Sequence, residues 1–221
     1  MYIYLVRHGE SQANVDKTLH LKLPDHEIAL SSRGQEQAKE AGRNLSKELV
    51  RNIPSSITLW NSPYRRTRET SNFIIDNLNE DYKNIITRRE SIYFCEQNFG
   101  VFDGLEDDEI EKEFPKEFKT WNLCKKFNGK FFARFPSGES PLDTAVRVAI
   151  GFNQIKDFHS QGIHIVVAHG TVIKLFEMMW FNHSPEWFYE AKTIGNCGIQ
   201  VIKDNIEWNV FPGYKDGKLI T

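Results

Sequence analysis

The sequence is poor in cysteine, in net charge and in long apolar stretches, and each shortage excludes a class of protein. Its 221 residues include three cysteines and no Cys-x-x-Cys pair, so neither a zinc ribbon nor a thioredoxin-type redox site is expected. The formal net charge of −2 gives no electrostatic reason to expect a nucleic acid or a membrane surface as a partner. No apolar run approaches the roughly 18 residues of a membrane span.

The rest of the composition is typical of a globular protein, with 40% hydrophobic and 26% charged residues. We find no internal repeat, low-complexity tract or linker, which predicts a single domain over residues 1–221. The first residues resemble a folded strand and lack the basic start and small-residue cleavage site of a secretory signal. Together with three widely spaced cysteines, this pattern predicts a cytoplasmic protein.

Apolar runs and helical periodicity alternate along the chain. Strands are predicted at residues 2–6, 57–60, 163–168, 199–203 and 206–211, the last two joined by a turn at Asp204 and Asn205. Helices are predicted from capping signals at Ser32, Ser62-Pro63 and Ser140-Pro141, over residues 171–181, and as decoration in the region 106–130. Strands that alternate with helices predict a three-layer α/β/α sandwich with a mostly parallel central sheet.

Two of the predicted strands end in the same dipeptide, His-Gly, directly before a polar or helical segment. Arg7, His8 and Gly9 follow the first strand, and His169 and Gly170 follow the strand 163–168. Ligand sites of open α/β sheets lie outside the carboxyl ends of the strands, so we predict that the two imidazoles converge at one edge. Helix N-termini at that edge offer free N–H groups, which favour phosphate.

Two arginines add positive charge to this predicted anion site. Arg7 precedes His8, and Arg66 falls in the first turn of the helix predicted after Ser62. Guanidinium groups fit phosphate oxygens in a bidentate manner. No Asp/His cluster has metal-ligand spacing, so we expect no metal and no cofactor. The charge of a phosphoryl group would be met by arginine and histidine.

Several sequence blocks resemble the histidine phosphatase superfamily, in the branch that contains cofactor-dependent phosphoglycerate mutases and related small phosphatases. The blocks are Val-Arg-His-Gly-Glu-Ser at 6–11 with Asn14, Ser-Pro-Tyr-Arg-Arg-Thr at 62–67 with Thr70, Glu96-x-x-x-Gly100, Pro-Ser-Gly-Glu-Ser at 136–140, and Val-Ala-His-Gly at 167–170. They occur in the order of the family and span nearly the whole chain. This agreement is far more specific than one Arg-His-Gly.

The resemblance implies a catalytic role for five residues. His8 would be the nucleophile, neutral at the attacking nitrogen, and would form a phosphohistidine. Arg7, Arg66 and His169 would hold the phosphoryl oxygens in a loose transition state. Glu96 would give a proton to the leaving group and then activate water. This role requires a raised pKa of the Glu96 carboxyl, which desolvation by neighbouring aromatic residues can provide.

Other residues are expected to bind the phosphate or the substrate. Ser11 and Asn14 belong to the first block, and Asn14 either bonds the phosphoryl group or caps a helix. His26, like His20, lies in the segment that lines the substrate mouth in the family. Gly170 is expected beside the phosphate, and Arg134 is a candidate for binding extra negative charge, as are Lys125, Lys126 and Lys130. Glu139 and Ser140 either serve this site or only begin a helix, whereas His159, His164 and His183 are expected to be structural or exposed.

Three functions stay open at this point. The first is a metal-independent phosphatase that acts on a small phosphorylated metabolite. The second is a phosphoglycerate mutase, although residues 116–126 have no paired arginines and few prolines, unlike the segment that helps mutases to hold a second phosphate. The third is a protein that binds a phosphorylated ligand without turnover, against which the presence of both His8 and Glu96 counts. The sequence does not indicate the oligomeric state.

Overall fold

A six-stranded sheet forms the centre of the computed structural model, which describes residues 1–50, 55–158, 162–204, 206–216 and 218–220. The strands of the sheet are β1 (Tyr2–Arg7), β2 (Ile57–Asn61), β3 (Ile86–Glu90), β4 (Ile163–Ala168), β5 (Ile199–Lys203) and β6 (Ile206–Phe211), and a separate hairpin contains β7 (Tyr214–Lys215) and β8 (Lys218–Leu219). Their order across the sheet is β3-β2-β4-β1-β5-β6. The first four of these are parallel to one another, β5 pairs antiparallel with β1, and β6 pairs antiparallel with β5.

Helices cover both faces of this sheet. They are α1 (Gln12–Val15), α2 (Ser32–Leu49), α3 (Arg65–Asp76), α4 (Glu80–Lys83), α5 (Asp107–Glu113), α6 (Pro115–Asn128), α7 (Pro141–Phe158), α8 (Gly170–Phe181) and α9 (Pro185–Glu190). Helices α2 and α3 pack on one face, and α7 and α8 pack on the other. Every residue of β4 is therefore buried. The predicted three-layer sandwich with a mostly parallel sheet is confirmed.

Among the residues that the structure describes, none of the helices has the length and apolarity needed to span a membrane.

All five predicted strands are present within one residue at each end, but the prediction missed β3. This strand has the sequence Ile-Thr-Arg-Arg-Glu and is half-buried or exposed at every position. It lies at the edge of the sheet, where charged side chains are favoured because they discourage further strand pairing. An edge strand of this kind carries no apolar run, so its sequence resembles a loop. The predicted turn residue Asn205 and the predicted structural residue His159 lie outside the described residues.

Two of the predicted helix starts are wrong in detail. Helix α3 begins after Tyr64 without a side-chain cap, because the Ser62 hydroxyl contacts His169 instead. Helix α2 is capped by Ser31, whose Oγ accepts from the amide of Gly34 at 2.9 Å, one residue before the predicted cap. The prediction for α7 is confirmed, since Ser140 Oγ accepts from the amide of Asp143 at 3.1 Å.

The turn after β1 lies directly against the first turn of α2. A β-carbon on Gly34 would lie 2.0 Å from Glu10 O, and one on Gly9 would lie 2.5 Å from Gly34 O. The buried Glu10 carboxylate accepts hydrogen bonds from Ser31 Oγ at 2.7 Å and from Arg33 Nε at 2.9 Å. These contacts allow no side chain at either glycine, and they fix the turn that follows His8.

Gly34→Ala should therefore destabilise the protein. Overpacking of this kind lowers the free energy of unfolding by about 1–3 kcal/mol, because the new methyl group must displace the backbone of Glu10. Urea denaturation measures the change. The matched control is Glu36→Ala in the same helix, an exposed site where we expect a change within about 0.5 kcal/mol. Equal free energies of unfolding for the two variants would show that the close approach of Gly34 to the Glu10 backbone does not limit the size of the side chain at position 34.

Candidate active site

The carboxyl ends of the four parallel strands lead to the residues singled out in the sequence. Strand β1 leads to His8 and β4 to His169, while β2 leads through Ser62 into α3 and β3 leads to the segment that contains Glu96. Because β1 and β4 are neighbours, the two imidazoles converge, with ring centroids 5.2 Å apart and an interplanar angle of 61°.

The imidazole of His8 is held in one tautomer. Its Nδ1 lies 2.7 Å from Gly9 O, and since a carbonyl oxygen only accepts, Nδ1 carries the proton and Nε2 keeps its lone pair. The side chain is buried, with 5% exposure of the residue. Burial, followed by the nearby charges of Arg66 and Arg7, holds the pKa of His8 well below its usual value. The ring is therefore neutral near pH 7 and has a free nitrogen for attack.

His169 is fully buried at the start of α8. Its Nε2 lies 3.0 Å from Ser62 Oγ, and its Nδ1 has no hydrogen-bond partner among the described residues. Burial and the charge of Arg66 hold its pKa well below the usual value, so this ring is also neutral in the structure. Sequence analysis assigned Ser62 to a helix cap and missed its contact with His169.

Arg7 lies beside the start of α8 and is anchored at one end only. Its Nη1 donates to Ile194 O at 3.0 Å, while its buried Nε has no hydrogen-bond partner among the described residues. A β-carbon on Gly170 would lie 2.9 Å from Thr193 Cγ2 and 3.6 Å from Arg7 Nε. A side chain at Gly170 would therefore collide with Thr193, whereas its distance from Arg7 is an ordinary contact. The remaining donors of the Arg7 guanidinium are available to an anion.

In this structure the guanidinium of Arg66 is bound by a carboxylate. Nη1 donates to Asp25 Oδ1 at 2.8 Å and to Asp25 O at 2.7 Å, and Nη2 donates to Asp25 Oδ2 at 3.1 Å. Arg66 is 5% exposed, and its guanidinium also lies 4.8 Å from the centre of the Tyr64 ring. Sequence analysis missed Asp25, because its partner is 41 residues away and no local pattern marks it.

Glu96 is half-buried and has the electrostatics that a proton donor needs. Burial raises the pKa of its carboxyl, although the amide of Gln97 and the charges of Arg66 and Arg7 oppose this. The Gln97 amide donates to Glu96 Oε1 at 2.9 Å. The predicted direction of the pKa shift is confirmed, and desolvation is its main cause.

The remaining predicted binding residues differ in their surroundings in the structure. Ser11 and Asn14 cap α1 reciprocally, since Asn14 Oδ1 accepts from the Ser11 amide at 2.9 Å and Ser11 Oγ accepts from the Asn14 amide at 3.1 Å. His26 is exposed, and its ring lies 6.4 Å from the Tyr64 ring, at the rim of the site.

Arg134, predicted to bind extra negative charge, forms a local ion pair in the structure. Its side chain is 71% exposed and pairs with Asp143 at the start of α7, and it borders a shallow depression beside Trp121 and Phe135. No described contact joins Arg134 to His8, His169 or Arg66. In this structure its guanidinium is bound to Asp143, and its role in binding extra negative charge stays a prediction.

A cleft of about 1230 Å³ opens beside Arg7 and Asn14. Its walls combine aromatic residues with charged residues of both signs, namely Arg7, Lys17, Lys192 and Lys215 against Glu10, Asp103, Glu106, Asp107 and Asp216. Lys17 is already paired with Glu106. The cleft therefore has no excess of positive charge outside Arg7 and its neighbours.

His20 also lines this cleft and lies between two carboxylates. Its Nδ1 is 3.5 Å from Asp25 Oδ1 and 3.5 Å from Asp103 Oδ2, and these ligand atoms all lie within 4.8 Å of one another. The spacing in sequence could not indicate this group, since Asp103 is distant along the chain. We interpret it as an ion-pair network, because Asp25 is already bound to Arg66.

Fold and site together define a class: three-layer α/β proteins that gather histidines and arginines at the carboxyl edge of the sheet. Comparison with known proteins gives the family. The family model "Histidine phosphatase superfamily (branch 1)" matches residues 3–209. The chain belongs to this superfamily.

Three similar proteins illustrate the relationship. A phosphoglycerate mutase-like protein of Arabidopsis thaliana is 34% identical over 91% of this chain and 64% of its own length, so this chain spans somewhat less than two thirds of that relative. A broad-range acid phosphatase of Saccharomyces cerevisiae is 26% identical over 91% of this chain and 84% of its own length. The crystal structure of an alpha-ribazole phosphatase of Shigella flexneri has a TM-score of 0.70 with 19% identity, covering 94% of this chain and 93% of that one.

Replacement of Asp25 by Asn should strengthen binding of inorganic phosphate. The substitution leaves the guanidinium of Arg66 buried without its counter-charge, which costs stability that a bound anion restores. We expect the dissociation constant of phosphate to fall roughly tenfold, equivalent to about 1.4 kcal/mol, as measured by isothermal titration calorimetry. Asp103→Asn is the control, since Asp103 contacts His20 and has no described contact with Arg66. Equal affinities in both variants would contradict a competition between Asp25 and phosphate.

Proposed function

We propose that this protein is a metal-independent phosphatase that hydrolyses a phosphomonoester through a phosphohistidine intermediate on His8. The observation that carries the proposal is the tautomer of His8: Nδ1 is tied to Gly9 O, and Nε2 has its lone pair beside His169, Arg7 and Arg66. Membership of the histidine phosphatase superfamily supports a phosphoryl-group chemistry, and one relative is described as an acid phosphatase.

In the first step, His8 Nε2 attacks the phosphorus atom in line with the ester oxygen. The P–N bond forms while the P–O ester bond breaks, and the leaving oxygen takes a proton from the Glu96 carboxyl. Arg7 and Arg66 stabilise the charge on the equatorial oxygens, with Asp25 giving way to the phosphoryl group. Removing one such donor typically costs about 2.7–4 kcal/mol of transition-state stabilisation.

In the second step, water displaces the histidine. The Glu96 carboxylate takes a proton from the water, whose oxygen attacks phosphorus as the P–N bond breaks. Inorganic phosphate leaves, the lone pair returns to His8 Nε2, and Glu96 is protonated for the next cycle. One group therefore serves as acid and then as base, which requires a pKa closer to neutrality than that of an exposed glutamate.

Transfer to a second ester, as in a mutase, has less support. A mutase must hold a substrate that keeps a second phosphate, and the cleft beside Arg7 is lined by charged residues of both signs. Helix α6, which borders this cleft through Trp121, has lysines but no arginine.

The proposal is tested with a panel of phosphomonoesters and the variant His8→Ala. We expect the wild-type protein to release inorganic phosphate and to form an acid-labile, alkali-stable phosphoprotein during turnover, both of which His8→Ala abolishes. His183→Ala, at the far end of α8, is the control and should behave as wild type. Conversion of one phosphoglycerate into another without phosphate release would favour the mutase, and phosphate binding without any turnover would favour a binding protein.

Glu96→Gln should remove one limb of the pH profile. Burial raises the pKa of Glu96, and the first step needs its protonated form, so kcat/KM of the wild type falls as pH rises through that pKa. Glutamine does not titrate, so the variant loses this descending limb and is slower by roughly 10²–10⁴-fold. His8 must be neutral to attack, so its own titration gives a limb that rises with pH, and this limb persists in the variant. A descending limb unchanged in Glu96→Gln would exclude Glu96 as the acid.

A further inference from the structure

The segment that carries Glu96 is held from behind by α7. A β-carbon on Gly151 would lie 2.6 Å from the Phe94 ring and 3.0 Å from Tyr93 Cβ, so this face of α7 is pressed against the segment. Arg147 lies four residues before Gly151, on the same face of the helix. Its side chain is 18% exposed, and it points along the segment towards Glu96.

The guanidinium of Arg147 uses all five of its N–H groups. Nη1 donates to Tyr93 O at 3.0 Å and to Cys95 O at 2.7 Å, and Nη2 donates to Glu96 O at 2.9 Å. The two remaining donors, Nε and the second hydrogen of Nη2, bind the two carboxylate oxygens of Glu139 at 2.7 and 2.8 Å. One side chain thus fixes three backbone carbonyls, including that of Glu96 itself.

Glu139 holds the other side of the same segment. Its Oε2 accepts from the amide of Asn98 at 2.9 Å, and its own amide donates to Asn98 O at 2.8 Å. The side chain of Gln97 donates to Glu139 O at 3.1 Å. Every residue from 95 to 98 is therefore bonded to Arg147 or Glu139, which leaves the backbone of Glu96 little freedom.

Both members of this pair are charged near pH 7. Burial alone would lower the pKa of Arg147, but the hydrogen bonds with Glu139 raise it overall. Burial would likewise raise the pKa of Glu139, and the hydrogen bonds from Arg147 and the Asn98 amide lower it overall. Burying two charges costs desolvation free energy, and hydrophobic residues of similar volume often stabilise a protein as well as a buried ion pair does. The five directed hydrogen bonds of this pair are therefore better explained by the geometry they impose on the segment than by stability.

We propose that Arg147, supported by Glu139, is a positioning residue that sets the reach of the Glu96 carboxyl towards the leaving-group oxygen. The inference rests on the proposed function, in which Glu96 protonates that oxygen. Proton transfer needs heavy atoms within hydrogen-bond distance, and a displacement of about 1 Å by a residue remote from the chemistry can cost about 10²-fold in rate.

The choice of leaving group distinguishes a positioning role of Arg147 from a merely structural one. An alkyl phosphate releases a basic alkoxide that depends on the proton from Glu96, whereas p-nitrophenyl phosphate releases a weakly basic phenolate that needs no proton. Loss of correct positioning should therefore lower kcat/KM for the alkyl ester far more than for the aryl ester. General damage to the site should lower both equally.

The experiment compares kcat/KM for an alkyl phosphate and for p-nitrophenyl phosphate in Arg147→Met, Arg147→Lys and Glu96→Gln. We expect Arg147→Met to lose about 10²-fold on the alkyl ester and less than about tenfold on the aryl ester. Arg147→Lys keeps the charge but has three donors instead of five, so it should show the same asymmetry with a smaller loss. This second variant also serves if Arg147→Met does not fold.

The matched control is Arg68→Met, which removes an exposed bidentate pair with Glu90, both contacts being 2.7 Å; both esters should react as in the wild type. In the double variant Glu96→Gln/Arg147→Met, the alkyl ester should react no more slowly than in Glu96→Gln alone, because the displaced group is already lost.

Two results would contradict these proposals, and each contradicts a different one. If Glu96→Gln shows the asymmetry but the Arg147 variants lose equally on both esters, the positioning role is wrong and the proposed function stands. If Glu96→Gln itself shows no asymmetry, the role of Glu96 in the proposed function is wrong.

Discussion

The parallel pairing of β1 with β4 is the constraint on which the site depends. Arg7 lies opposite Ala168 in this register, and the amide of His8 donates to Ala168 O at 2.9 Å, so both strands end together and their His-Gly turns meet. A shift of one residue would turn every side chain of the shifted strand to the opposite face of the sheet. Burial of β4 on both faces makes such a shift costly, and the packed core thereby holds the two imidazoles in place.

Around the two imidazoles, charged side chains are arranged in ion pairs that differ in what they hold. Glu10 with Arg33 and Arg147 with Glu139 join backbone segments to helices. The pair of Arg66 with Asp25 is different, since its guanidinium faces the place where a phosphoryl group is proposed to bind. A buried cation without a partner is costly, and the carboxylate supplies the negative charge that the substrate would bring. The site thus combines pairs that hold backbone segments with one pair that is proposed to open.

Much of the fold follows from local patterns, and its one large omission has a physical cause. Strands β1 and β4 are nearly continuous apolar runs because they are buried on both faces, and such runs are visible in a sequence. Strand β3 is an edge strand with charged side chains, and only its pairing with β2 makes it a strand. Its omission mattered, because β3 is the element that leads to the segment of Glu96.

The sequence by itself determined the layers of the fold, the His-Gly turns and the family, since each depends on residues that are close together along the chain. Only the tertiary structure decided which side chains meet. It paired Arg66 with Asp25, and it turned Ser62 from a helix cap into a neighbour of His169. It also paired Arg134 with Asp143. Contacts between residues far apart in sequence depend on strand order and helix packing, which no local pattern encodes.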